Sequence, residues 1–447
     1  MLRITVPRSG CCALALFALF IAASVAHARL VVMHGYADYT SAILWMQADA
    51  PGTIAIELLG EQPGDVRRFS ALASPAEDYA ASLRIPGLSP GHTYRYRITA
   101  GSDTREGTLR TQRYAVRGEE APQLAIAFGS CHFVPYPNSA FPADRGGDYQ
   151  IFDAIAAKAP DLMLWLGDNL YLQTPDFTDP TSMAAHYRDA RAFGPLQHLL
   201  TSTSNLAIWD DHDYGPNDSD RSYVFKGDTL KLFQRYWPNP SFGLPDVPGI
   251  FGWVHLADVD IFLLDDRYYR YPNKYPNVPE KTMWGTQQFE WLKQALVSST
   301  ARIKIVANGS QLWNRTNRFE GLQRFPDEQR RLAQWLVEQK IDGVVFLSGD
   351  RHFGELLRMQ RAGTYPLYEH TSSPLSYKAV ENIDAAEREN PDVVPGTLRT
   401  QRQFGMVRVT GPFNQRTIAF ESYDSNGTLL WRHAIAANEI RNARARP

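Results

Sequence analysis

Asp210, Asp211, His212 and Asp213 occupy four consecutive positions, directly after the apolar run that ends at Trp209. A packed core rejects unpaired charge, and a solvated turn has no need of a histidine between acids. Hard cations take carboxylate and amide oxygens. Hydrolysis wants a proton donor nearby, which histidine can supply. The stretch reads either as a metal site with its acid–base group attached or as an acidic surface turn with an ion-paired histidine.

Five other places carry comparable groups. They are Gly129-Ser130-Cys131-His132, Gly167-Asp168-Asn169-Leu170-Tyr171, Asp265-Asp266-Arg267, Asn308-Gly309-Ser310 and Ser348-Gly349-Asp350-Arg351-His352. A carboxylate at Asp168 can bridge two cations, and Gly167 before it permits a tight exit from a strand. The Tyr171 phenol could coordinate a ferric ion or simply pack in a core. A Cys131 thiolate is soft and suits a transition metal rather than calcium; a lone cysteine is otherwise a small buried hydrophobe. Asp350 and His352 are one residue apart, so on an extended backbone both project to one side and each could hold a metal. Read alone, Asp350 could equally be a turn or cap acid.

Each of these groups ends a short apolar run: 124–128, 162–166, 206–209, 261–264, 303–307 and 344–347. Helical candidates lie at 149–158, 183–193, 228–237, 286–297 and 327–339. Alternation of short apolar runs with helical stretches implies a layered α/β domain over about 123–440. In such sheets ligands bind at the carboxyl ends of the strands, so six polar strand ends are expected to assemble one site. The β-rich stretches at 405–410 and 417–433 read as structural, with Asp424-Ser425-Asn426-Gly427 as a hairpin turn. Residues 29–115 read as a separate all-β unit. A Pro- and Gly-rich turn runs into alternating Tyr94, Tyr96 and Ile98, the pattern of the tyrosine corner in an immunoglobulin or fibronectin type III sandwich. Residues 113–122 read as a linker.

The 447 residues exceed one ordinary domain. With 44% hydrophobic and 21% charged residues the composition is globular, and the net charge of -2 argues against a polyanion-binding surface, so no specific nucleic-acid partner is expected. Arg3 and Arg8, the apolar stretch 11–25 and Ala26-His27-Ala28 have the form of a cleaved signal peptide spanning 1–28. The apolar run is short for a membrane anchor, the alternative reading. Cleavage removes Arg3 and Arg8, moving the charge from -2 to -4, and leaves Cys131 as the one cysteine, so no internal disulfide is expected. No further stretch reads as membrane-spanning. The expected product is a periplasmic or secreted monomer.

Taken together, Phe128-Gly129-Ser130-Cys131-His132, Leu166-Gly167-Asp168-Asn169-Leu170-Tyr171, Trp209-Asp210-Asp211-His212-Asp213, Leu264-Asp265-Asp266-Arg267, Ala307-Asn308-Gly309-Ser310-Gln311 and Leu347-Ser348-Gly349-Asp350-Arg351-His352 resemble the PhoD-like (alkaline phosphatase D) family of calcineurin-like metallophosphoesterases. The resemblance covers nearly the whole mature chain. It implies two packed mixed β-sheets flanked by helices, preceded by a fibronectin-like domain. It also implies an extracytoplasmic hydrolase of phosphate mono- and diesters, small or polymer-linked, working by attack of a metal-bound hydroxide. Carried over by position, Cys131, Asp168, Tyr171 and His352 would surround ferric iron, and Asp168, Asp211 and Asp350 would hold calcium, with Asn308 a further ligand; other divalent metals fit as well. His212 would assist the leaving group. Arg267 and Arg351 are candidate phosphate contacts, since guanidinium matches phosphoryl oxygens, or else structural ion-pair partners.

The chain departs from the family pattern after His212. Asp213 stands where many members have Glu, followed by Tyr214-Gly215-Pro216-Asn217-Asp218, which suggests a sub-branch. The Tyr-, Pro- and Asn-rich tract 268–284 could be a lid or an ordinary packed loop. Two readings compete with the phosphatase. One is an enzyme acting mainly on diesters of lipid head groups or wall polymers. The other is a calcium-binding adhesion or carbohydrate-binding protein that uses the same acids structurally.

Overall fold

The alternation around Tyr94 forms one strand of an antiparallel unit. In a computed structural model that describes residues 30–442, apart from 61–64, 115–120, 137–138 and 140, seven strands come first. They are β1 (Val31–Ala37), β2 (Ala42–Gln47), β3 (Gly52–Leu59), β4 (Val66–Ala73), β5 (Ala80–Ile85), β6 (Thr93–Ala100) and β7 (Asp103–Arg110). They build a three-stranded sheet in the order β1-β2-β5 and a four-stranded sheet in the order β4-β3-β6-β7. Leu44, Met46, Ile54, Ile56, Tyr96 and Ile98 meet between them. Tyr96 and Ile98 point inward while Arg95 and Arg97 face water, the period-2 pattern of a half-buried strand. The Tyr94 hydroxyl accepts the Ser89 N–H at 2.7 Å, closing the corner that the sequence suggests.

Strand β2 departs from that alternation because it is buried at every position. Its second face, with Val31 and Met33 of β1, packs into the core of the following unit through Trp45. The Trp45 indole donates to the Arg235 carbonyl at 2.6 Å, and Asn205 donates to the His34 carbonyl at 3.3 Å. The all-β unit is thus fused to its neighbour along β1 and β2.

The second unit holds two six-stranded mixed sheets. The first, in the order β10-β9-β8-β17-β18-β19, contains β8 (Leu124–Gly129), β9 (Leu162–Leu166), β10 (Ser204–Ile208), β17 (Gln403–Thr410), β18 (Thr417–Asp424) and β19 (Leu429–Ala436). The second, in the order β11-β12-β13-β14-β16-β15, contains β11 (Gly252–Leu256), β12 (Val259–Leu263), β13 (Ile303–Ala307), β14 (Val344–Ser348), β15 (Glu355–Met359) and β16 (Leu367–Thr371). Strands β8, β9 and β10 are mutually parallel, as are β12, β13, β14 and β16. The sheets face each other through aromatic contacts, Phe128 against His370 with ring centroids 4.7 Å apart and Tyr368 against Phe420 at 5.8 Å. This is the fold the six motifs imply. The C-terminal runs complete the first sheet, where β17 pairs antiparallel with β8, and Asp424 and Gly427 close the β18–β19 turn.

Helices α1 (Ile151–Ala157), α2 (Pro180–Ala192), α3 (Gln197–Ser202), α4 (Asp211–Tyr214), α5 (Lys226–Tyr236), α6 (Gly285–Ser298), α7 (Pro326–Glu338) and α8 (Ala385–Arg388) cross over or cover the sheets. Their starts follow local chemistry: Asp179 caps α2 by accepting the Thr181 N–H, and α7 opens with Pro326, Asp327 and Glu328. Tract 268–284 is a loop packed at its ends and exposed at 274–277 and 279–280. Buried Glu328 accepts the Met283 N–H and the Thr282 hydroxyl, and Lys281 donates to the Asn273 carbonyl at 3.0 Å. The expected signal segment 1–28 lies outside the described residues. Among the described residues no helix is long and apolar enough to cross a membrane.

Candidate metal centre

Parallel strands place the ends of β8, β9, β10 and β14 on one side of the paired sheets, and backbone bonds carry the pairing past the strands. Cys131 N–H reaches the Gly167 carbonyl, His132 N–H reaches Asp168, and Gly349 N–H reaches Gly309. The close approach requires glycine. A Cβ on Gly167, which has φ +91°, would stand 2.7 Å from the Asp210 nitrogen, and one on Gly349 would collide with Ser130. Gly167→Ala is therefore expected to push β9 off the 209–213 stretch, at about 1–3 kcal/mol of stability. A urea midpoint unchanged from the parent would refute this.

Two groups of candidate ligands share one residue. Ligand atoms of Cys131, Asp168 and His352 lie within 4.8 Å of one another, as do those of Asp168, Asp211 and His212. The Asp168 Oδ2 contacts the Tyr171 hydroxyl at 3.2 Å and the Cys131 thiol at 3.5 Å, and its Oδ1 accepts the His212 N–H at 3.4 Å. Tyr171 also stands 3.4 Å from the His352 Nε2. Four candidate ligands, Cys131, Asp168, Asp350 and His352, have φ between +49° and +70°. Side chains adopt that left-handed backbone only when the surroundings impose it, and such residues gather at functional sites. The extended backbone expected between Asp350 and His352 is thereby corrected: both residues are left-handed, and their placement comes from the turn.

The electrostatics are those of acids in want of a cation. Burial, reinforced by Asp211, Asp213 and Asp350, raises the Asp168 carboxyl well above its ordinary range. Burial and Asp168 likewise raise the Cys131 thiol and the Tyr171 phenol. Asp350 is pushed up to about 7 by burial, against the pull of Arg351. Burial would raise Asp211 too, but His212, Arg267 and the Asp218 N–H hold it below its ordinary value. Burial lowers His212, opposed by Asp211, and lowers His352 to about 3, aided by His212, Arg351 and Arg145. The buried Nδ1 of His212 has no hydrogen-bond partner among the described residues. The Ser373 hydroxyl donates to the Cys131 sulfur at 3.1 Å, and Ser130 lies 3.3 Å from it, contacts that favour a thiolate once a cation offsets the charge.

The remaining expected residues take other places. Asp210 caps α4, and Asp213 ties that helix to the next strand end by accepting the Asn169 and Asp210 N–H groups at 2.9 and 3.1 Å. Asp265 accepts the Trp209 indole and the N–H groups of Ile250, Arg267 and Tyr268. Asp265, at the β12 end, therefore organises loops rather than offering a free carboxylate. The Asn308 amide donates to Asp266 and Ser310, while its Oδ1 accepts the Trp284 indole at 2.9 Å. Arg267 is wholly buried among acids. It bonds Asp210 through Nε at 2.6 Å, pairs with Glu320, and lies 3.9 Å from both Asp211 and Asp266. A third carboxylate group, Asp210, Asp211 and Glu320, thus already holds the Arg267 guanidinium in its midst. Arg351 pairs with Glu387 of α8 under the Phe319 ring. Both arginines take the ion-pair role that the sequence left open. Glu320, Ser373 and Tyr377, which stacks on Tyr171 at 4.5 Å, belong to the surroundings without any motif to announce them.

The chain is similar to known proteins in sequence and in fold. Residues 250–414 match the family model described as PhoD-like phosphatase. Alkaline phosphatase D of Bacillus subtilis (strain 168) is 24% identical over 340 residues, covering 64% of this chain and 55% of that protein, so the chain spans about half the length of this curated relative. The solved structure of PhoD superposes with a TM-score of 0.71 at 18% identity, covering 91% of each chain. Purple acid phosphatase PPD1 from yellow lupin (Lupinus luteus) seeds superposes with a TM-score of 0.65 at 10% identity, covering 91% of this chain and 74% of the other. The shared fold and the family resemblance read from the six motifs are borne out.

Proposed function

Proceeding from the kinship of this chain with the PhoD-like phosphatases, we propose that it is a metal-dependent phosphoester hydrolase with its site at the ends of β8, β9, β10 and β14. The observation that carries the reading is the pair of ligand groups joined at Asp168. The donor set fits cations. A thiol, a phenol, a carboxyl and an imidazole meet in a buried space, where burial disfavours the charged forms of the Cys131 thiol, the Tyr171 phenol and the Asp168 carboxyl and an entering cation would favour them. Cys131, Asp168, Tyr171 and His352 would hold iron, because thiolate and phenolate favour a transition metal. Asp168, Asp211 and Asp350 would hold calcium through hard oxygens; Asn308 is a candidate further ligand through the lone pair left on its Oδ1. Bound cations would supply Lewis-acid polarisation of the phosphoryl oxygens and acidify a water.

The chain's own residues supply the remainder. Asp168 orients both groups at once. The ring of His212 packs 4.4 Å from that of Tyr171, and its half-buried imidazole can deliver a proton to the departing alkoxide. Asp211 opposes the burial that disfavours the charged imidazole. Asp210, Arg267 and Glu320 fix the helix that carries both residues.

The test joins metal analysis by mass spectrometry to chromogenic phosphomonoester and phosphodiester assays, with and without chelator. Iron in the purified protein and chelator-sensitive turnover are expected, and the two assays rank monoester against diester. Metal-replete protein that cleaves neither ester would sink the reading. His212→Asn is expected to lower kcat about 10²–10⁴-fold while metal content stays at the parental level. Equal loss of metal would move His212 from proton donor to ligand.

A further inference from the structure

We infer that Arg145, at the rim of the centre, recognises an anionic group of the substrate: the reacting phosphate or a second negative group on its alcohol. The inference rests on the hydrolase reading above and adds the residue that selects among esters. It begins with a charge inventory. A site for phosphoesters needs cationic side chains that are free to pair with the ligand. The two arginines inside the motifs are spent on protein carboxylates, Arg267 on Asp210 and Glu320, and Arg351 on Glu387. The exposed Lys378 nearby pairs with Glu381 at 2.9 Å.

Arg145 differs. It is the last residue of a short 3₁₀ turn, Ala143–Arg145, and is exposed. Its Nη1 donates to the Tyr377 hydroxyl at 2.7 Å, and its guanidinium lies 5.7 Å from the Tyr377 ring and 5.8 Å from that of Phe141. Among the described residues it has no carboxylate partner. One neutral hydrogen bond and two aromatic rings hold the guanidinium in place without cancelling its charge. Four of its five N–H donors are left for a ligand.

The seat connects directly to the centre. Tyr377 stacks on Tyr171 at 4.5 Å with an interplanar angle of 20°, and its ring lies 4.7 Å from that of His352. Arg145 is therefore one aromatic ring away from two candidate iron ligands. His212, Asp350, Arg351 and His352 are the partly exposed members of the centre, so an ester enters on the side where Arg145 stands. A guanidinium so placed raises affinity without touching the bond that breaks, which makes it a determinant of KM rather than of the chemical step.

Arg145→Ala and Arg145→Lys are compared with the parent in the metal-loaded protein, using glucose 6-phosphate and 6-phosphogluconate, which differ by a carboxylate at the far end. Calorimetry with inorganic phosphate supplies a binding readout apart from turnover. Removing the guanidinium should raise KM about tenfold with kcat held, and Lys should recover part of the loss. Equal rises for both esters, with weaker phosphate binding, assign Arg145 to the reacting phosphate. A rise confined to 6-phosphogluconate, with phosphate binding intact, assigns it to the second anion. Tyr377→Phe, which keeps the ring but removes the acceptor, should raise KM about threefold in the same pattern. The inference is overturned if Arg145→Ala leaves both KM values and the phosphate affinity within twofold of the parent. A parent protein that neither hydrolyses esters nor binds phosphate would instead refute the hydrolase reading, and this inference with it.

Discussion

Asp168→Ala should abolish phosphoester turnover and remove both metals together. The reason is topological: Asp168 is the one residue common to the Cys131–His352 group and the Asp211–His212 group. The stability of the variant separates this role from a structural one. In chelated protein Asp168 is a buried acid set against the like charges of Asp211, Asp213 and Asp350, which Arg267 offsets in part, so its removal should cost little. In loaded protein the parent gains stability by mass action on the folded state, about 4 kcal/mol at a thousandfold excess of metal over Kd, and the variant does not. The gap in Tm between loaded and chelated samples should therefore be wide in the parent and close to zero in Asp168→Ala. A variant that keeps either turnover or the parental gap would refute the shared-ligand scheme.

Arg267→Met should be the most destabilising single change at the site, by about 3–5 kcal/mol. Its guanidinium is fully buried and bonds Asp210, Glu320 and the Ser219 carbonyl, with Asp211 and Asp266 at 3.9 Å. Methionine fills the space but leaves several buried carboxylates facing one another. Among the described residues Arg270 pairs with Glu320 at 3.4 Å but with none of Asp210, Asp211 and Asp266, so it does not replace the Arg267 fork. Arg267→Lys should rescue little, because one ammonium cannot reproduce a fork that serves Asp210 and Glu320 together. Chemical denaturation reads the effect, and a loss below about 1 kcal/mol for Arg267→Met would show the network to be dispensable.

Much of this architecture is legible in the chain. Apolar runs that stop at Gly-Asp or Asp-Asp mark strand ends, and the five helical stretches appear within a few residues of their expected bounds. The strand ends lie together because the strands that carry them pair in parallel. The hand of the backbone at Cys131, Asp168, Asp350 and His352 was not legible, since the mild preference of Asp and His for positive φ does not say which of the many such residues adopt it. The roles of Arg267 and Arg351 were also hidden. Their partners Glu320 and Glu387 are 53 and 36 residues away, and a charge is judged free or spent only when its neighbours are known. Arg145 and Tyr377 reach the rim from loops 232 residues apart, outside every motif. Strand β2 shows the same effect in the fold: burial on both faces hides the alternation by which a sandwich strand is usually known.

That doubly buried strand bears on how the chain can be dismantled. The first unit looks detachable, since it has its own core and no member of the ligand groups. Yet cutting it away would strip the cover from β10 and α5 and leave Trp45's berth beside Arg235 open to water. A truncated catalytic half would carry a sticky seam where an intact protein has interior. The two units are better regarded as one cooperative body, in which the first acts as the wall that keeps the second closed.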